Sequence, residues 1–134
     1  MSDIGLPEHT GFCRHLREGR LCFPRCRDCG RFHWYPKPAC PHCRSAVIDW
    51  QAVAGPATVF SFTIVRHAFD AKWREALPYV VALVTFEDAP GVRLVTNVVG
   101  IKPEALRIGG AVEPVFQISD DGEARVLFRL AAFA

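Results

Sequence analysis

Several things are missing from this chain of 134 residues, and each absence closes a class of function. No run of 18 apolar residues occurs, so no membrane span is expected. The opening MSDIGLPEHTGF has no basic segment leading into an apolar core, so no secretory signal is evident. There is no Gly-x-Ser-x-Gly elbow and no glycine-rich phosphate loop, which excludes the common hydrolase and nucleotide-cradle signatures. The zinc deaminases pair Pro-Cys-x-x-Cys with an upstream His-x-Glu. Here Ala39 precedes Cys40 and no His-x-Glu exists. From Trp50 onward the only histidine is His67, and the carboxylates there fall mostly at turns and in loops, where solvation explains them. No nucleophile–base pair emerges, so catalysis by this chain alone is not expected, while shared catalysis at a subunit interface stays open. No internal repeat, linker or low-complexity tract is visible.

What the chain does have is cysteine in a pattern. Leu21–Asp49 holds two Cys-x-x-Cys pairs, Cys26/Cys29 and Cys40/Cys43, with ten residues between them. A Cys-x-x-Cys turn brings two thiolates within reach of one ion, and two such turns close a tetrahedral four-sulfur site. Four soft thiolates with no open position point to a structural Zn2+, a zinc ribbon. Disulfides or free thiols are the alternative. Gly30 suits the positive φ of a knuckle turn. Arg44 stands at the same place in the second knuckle, which predicts a less ideal or differently shaped turn there. Cys13 and Cys22 read as small buried apolar residues rather than further ligands. His33 and His42 are surplus to four sulfurs, and His42 is expected to be exposed. Cysteines that need no disulfide suit a reducing cytoplasm.

The net charge of +2 is unevenly spread. Residues 1–49 carry eight Lys/Arg against five Asp/Glu, and residues 50–134 eight against nine. The excess surrounds the ribbon and includes Arg25, Arg27, Arg31 and Lys37. Such a patch meets phosphates or an acidic protein surface, or is simply solvated.

Residues 8–19 read as a short amphipathic helix, with Phe12 and Leu16 at i, i+4 and Gly19 as its stop. Phe32, Trp34 and Tyr35 between the knuckles are expected to cover the metal site or pin the ribbon to its neighbour. Strands are predicted at Ala57–Val65, Tyr79–Phe86, Val92–Val99, Ala111–Ile118 and Ala124–Leu130, with a helical turn within Lys102–Arg107. Tyr79–Phe86 is apolar on both faces, which predicts a strand covered on both sides. Phe60, Phe62, Phe86, Phe116 and Phe128 are expected mostly in the core. Five short antiparallel strands predict an OB-type, partly open barrel. The expected fold is mainly β: a helical segment over 1–20, a rubredoxin-like zinc ribbon over 21–49 and an OB-fold domain over 50–134. Phe69 and Trp73 lie in a polar excursion, His67–Pro78. They either serve a docking partner or pack on the barrel.

This order of parts resembles the DUF35 family of acyl-CoA-associated OB-fold proteins with a rubredoxin-like zinc ribbon. The likeness runs through Leu-Arg-Glu-Gly-Arg-Leu at 16–21, Cys26-Arg-Asp-Cys29-Gly30 with Pro36, and Cys40-Pro-His-Cys43. It continues in Gly55-Pro-Ala-Thr-Val-Phe-Ser61-Phe-Thr63, Pro78-Tyr79-Val80-Val81, and Ile108-Gly109 before Val112. Ala57 and Arg44 stand where the family often has glycine. The resemblance implies a non-catalytic partner of a thiolase-like enzyme (thiolase, acyltransferase or retro-aldolase) or of a MaoC-like hydratase. It also implies that the chain helps hold the coenzyme A thioester. The alternative is a single-stranded nucleic-acid-binding OB-fold and zinc-ribbon protein. It is disfavoured because the barrel half is slightly acidic.

Overall fold

The computed structural model describes residues 10–67, 71 and 77–131. Helix α1 (Thr10–Arg17) buries Phe12, Cys13 and Leu16, the stripe expected of its i, i+4 spacing. It stops at Gly19, whose φ of 75° is the left-handed cap that glycine adopts without strain. The Arg20 amide then donates to the His15 carbonyl at 3.0 Å. Gly11 lies so close to the Trp50 ring that a Cβ there would sit 2.4 Å from it.

Strand β1 (Cys22–Cys26) pairs antiparallel with β2 (Ile48–Ala52), in register from Cys22 opposite Ala52 to Cys26 opposite Ile48. Sequence pattern does not announce β2, because Asp49, Gln51 and Ala52 face solvent and the strand exists by pairing with β1. Five strands follow: β3 (Ala57–Val65), β4 (Tyr79–Phe86), β5 (Arg93–Val98), β6 (Ala111–Ile118) and β7 (Ala124–Leu130). They close a barrel in the order β3-β4-β5-β7-β6, with β5 and β7 parallel and the other neighbours antiparallel. This is the OB-fold, closed where a partly open barrel was expected. The helical turn between β5 and β6 is a single 3-10 turn, Pro103–Ala105, and Leu106 after it is buried.

Inward positions fill the barrel with Val59, Val80, Val84, Leu94, Val98 and Phe128. The outer face of β4 is half-buried rather than covered, so its two faces are less alike than its composition predicted. Phe60 also departs from expectation: it is 45% exposed. Strand alternation sets it on the face opposite the buried Ala57 and Val59, and a bulge between Val59 and Ser61 interrupts the pairing with β4 there. The Arg93 guanidinium lies 4.2 Å from the Phe60 ring centroid, and Phe62 and Phe116 are only partly buried.

One chain of aromatic contacts ties the parts together. Phe23 of β1 is fully buried and lies 4.9 Å from Phe86, which lies 6.0 Å from Phe128. Trp34 meets Phe23 edge-on at 5.3 Å and Phe12 at 4.7 Å. Trp34 therefore pins the ribbon to the helix, one of the roles its place between the knuckles implied, while Phe23 joins it to the barrel.

Candidate metal centre and its flank

Cys26 ends β1 and opens the first knuckle; Cys40 opens the second. The two turns are built alike. The Gly30 amide donates to the Cys26 carbonyl at 2.9 Å, and the Arg44 amide to the Cys40 carbonyl at 2.8 Å. The Cys26 amide donates to the Arg31 carbonyl at 2.9 Å, and the Cys40 amide to that of Ser45 at 2.8 Å. Gly30 has φ 76° and Arg44 φ 68°. Arg44 thus does not reshape the second knuckle; it holds the left-handed conformation that glycine holds in the first, against a steric cost of about 1–2 kcal/mol.

The four sulfurs lie within 4.8 Å of one another. Cys26 and Cys43 sulfurs are 3.5 Å apart, and Cys29 and Cys40 sulfurs 3.7 Å. A tetrahedral ion with metal–sulfur bonds of about 2.3 Å needs sulfurs roughly 3.8 Å apart, so the donor set fits. Backbone amides already point at the sulfurs: Cys29 N–H to Cys26 at 3.5 Å and His42 N–H to Cys40 at 3.3 Å. The amide of Cys29, with the Cys43 thiol and the amide of Asp28, pulls Cys26 down to about 6 against burial. Burial would push Cys40 up, but the amides of Cys43 and His42 outweigh it and bring it down. Cys43 receives the Ser45 amide, yet the neighbouring sulfurs, Cys26 first, and burial push it up to about 12. A metal ion bound here would take the cysteines as thiolates, so its binding releases protons and weakens as pH falls. Cys13 and Cys22 are buried and outside this cluster, as expected.

The basic residues around the ribbon divide. Arg27 is committed to Asp49, with Nε and an Nη at 2.9 and 2.8 Å from its two oxygens, which holds the Asp49 carboxyl below its ordinary range. Arg25 and Arg31 instead line a cleft of about 1030 Å3 between the ribbon and the β4–β5 loop, together with Phe32, His33 and His42. Asp88, Pro90 and Gly91 also line it. Lys37 lies outside the cleft but near enough to bear on the charge of His33. Phe69 and Trp73 lie outside the described residues. His42 is exposed, as predicted, whereas His33 is 5% exposed with no hydrogen-bond partner at either ring nitrogen. His33 is surplus to the four sulfurs, as expected, and its place in the cleft lining comes from the fold rather than from any local pattern.

Residues 13–49 match the family described as the ChsH2 rubredoxin-like zinc ribbon domain, and residues 50–117 the ChsH2 C-terminal OB-fold domain. The chain belongs to the ChsH2/DUF35 family. A DUF35 domain-containing scaffold protein of Methanocaldococcus jannaschii is 32% identical over 85% of this chain and 81% of its own length. A probable enoyl-CoA hydratase alpha subunit of Thermomonospora curvata is 41% identical over 69% of this chain, which spans 28% of that longer protein. Among solved structures, the Ltp2-ChsH2(DUF35) aldolase matches with a TM-score of 0.85 and 32% identity, over 97% of this chain and 99% of that one. A DUF35 protein of unknown function from Sulfolobus solfataricus shares the fold at a TM-score of 0.67 and 20% identity, over 93% and 86% of the two chains. In this DUF35 chain the four cysteines are those of the family's zinc ribbon.

Proposed function

We propose that this DUF35 chain is a non-catalytic, zinc-binding accessory subunit of an acyl-CoA-processing complex in a reducing cytoplasm. Its partner is a thiolase-like enzyme, with a hydratase-type enzyme as the other candidate, and it helps hold the CoA thioester. The observation that carries the reading is the near-complete match to a DUF35 chain from an aldolase named for two components, Ltp2 and ChsH2. The hydratase subunit name of a second relative and the scaffold name of a third point the same way. The basic side of the ribbon supports a role toward CoA phosphates, with Arg25 and Arg31 lining the cleft and Arg27 bound to Asp49. Phe69 and Trp73 belong to this reading as aromatics that touch the partner or the acyl-CoA.

Metal and partner binding are coupled in this account, because a ribbon folds only around its ion. Cys40→Ser is expected to lose zinc and, with it, the co-purifying enzyme, measured by metal content and by the protein retained on a tagged bait. Phe69→Ala and Trp73→Ala should keep zinc and the far-ultraviolet dichroism of the fold while retaining less partner or acyl-CoA. Full partner retention by Cys40→Ser would refute the coupling.

The exposed Phe60 under Arg93 is the one observation that favours the nucleic-acid alternative, since stacking aromatics beside cations serve single strands. That reading requires oligonucleotide binding that falls steeply with added salt.

A further inference from the structure

The cleft beside the ribbon has the size of a small-molecule site and contents unlike an ordinary surface dent. Its lining holds two arginines, Arg25 and Arg31, against one acid, Asp88. Arg31 is exposed and has no salt bridge among the described residues, while nearby Arg27 is fully engaged by Asp49. Arg25 is oriented by its Nε, which donates to the Gly30 carbonyl at 3.1 Å, and its guanidinium lies 5.9 Å from the Phe32 ring centroid. The Arg25 guanidinium lies against Gly30, where even a Cβ would meet an Nη at an ordinary contact distance of 3.5 Å.

The third feature is His33. A buried polar side chain without a partner is unfavourable, and both nitrogens of this imidazole lack one. A neutral imidazole donates from one nitrogen and accepts at the other. Asp88 also lines the cleft, and its carboxylate approaches Gly55 so closely that a Cβ there would fall 2.0 Å from Oδ2. An acidic peptide would use the arginines and leave the ring and the imidazole idle. A purine nucleotide uses all of them: phosphates for the guanidinium forks, a flat base for the Arg25–Phe32 pair, and polar base edges and ribose hydroxyls for His33 and Asp88.

We propose that this cleft seats the nucleotide end of the acyl-CoA, its adenosine 3′,5′-bisphosphate portion. The proposal rests on the acyl-CoA reading above and adds to it the place and the part of the ligand held.

The test uses the zinc-loaded full chain, titrated with adenosine 3′,5′-bisphosphate by calorimetry, with zinc content measured on every sample. Saturable binding is expected, weakened about tenfold or more by Arg31→Ala and by Phe32→Ala at unchanged zinc content. Arg31→Glu, a surface change that leaves the fold intact, should abolish it. Absence of binding at millimolar ligand, or an Arg31→Ala chain that binds like wild type, overturns the proposal. So does an oligodeoxyadenylate that displaces the bisphosphate more tightly than the bisphosphate itself binds, because the occupant would then be nucleic acid. Capture of an acyl-CoA enzyme by a chain that binds no bisphosphate sinks the cleft assignment alone. Bisphosphate binding that depends on Arg31, in a chain that captures no such enzyme, sinks the accessory-subunit reading and keeps the cleft.

Discussion

Arg44 carries a backbone conformation that costs an ordinary residue about 1–2 kcal/mol, and it does so beside a metal ligand. The hydrogen bonds of its knuckle match those around Gly30, so the ribbon tolerates the residue without changing shape. Arg44→Gly should therefore stabilise the zinc-loaded protein, by about 1 kcal/mol after the extra chain entropy of glycine is subtracted. Thermal unfolding with zinc in excess measures this, and an unchanged or lower midpoint would contradict it. His33 gives a pH effect. Burial, then the charges of His42 and Lys37, hold its pKa below the ordinary 6.5. Between the lowered value and 6.5 the unfolded chain binds a proton that the folded chain refuses, so stability falls as pH drops through 6.5. His33→Phe should flatten that decline. Acid loss of zinc affects both proteins alike, so the difference between their curves reads His33, and parallel curves would remove it as the cause.

At the scale of elements, the ribbon is held to the barrel by β1. Phe23 is fully buried between Phe86 and Trp34, joining ribbon and barrel in one core cluster. Phe23→Ala is expected to lower stability by about 3–5 kcal/mol, the range for truncating a buried aromatic. Denaturant unfolding measures it, and a loss below about 1 kcal/mol would mean the ribbon is held elsewhere. Elements were legible in the sequence where the pattern is local. Cys-x-x-Cys spacing specifies a knuckle within four residues, and the strands of the barrel show as β-branched and aromatic runs. β2 was not legible because its side chains are largely exposed and only its partner makes it a strand. Phe60 is exposed for a different reason: it alternates with the buried Ala57 and Val59, and the apolar-rich look of ATVFSFTIV hides that its two faces differ.

For the whole molecule, the clustering of the four ribbon cysteines was readable and the cleft was not. Cys26, Cys29, Cys40 and Cys43 were identifiable by spacing alone. The cleft joins residues of the ribbon to Asp88, Pro90 and Gly91, which come together only once Phe23 seats the ribbon on the barrel. The sequence showed a basic patch; the structure divides it into Arg27, which braces the knuckle against β2, and Arg25 and Arg31, which face open space. The family supplies the context in which such a surface has a use, and among the described residues no helix is long and apolar enough to cross a membrane. The most direct measurement of the account is capture of a tagged copy of this chain from its native cell, with the retained molecules identified by mass spectrometry. The account predicts a thiolase-like or hydratase-like acyl-CoA enzyme in stoichiometric amount; nucleic acid with no consistent protein partner would contradict it.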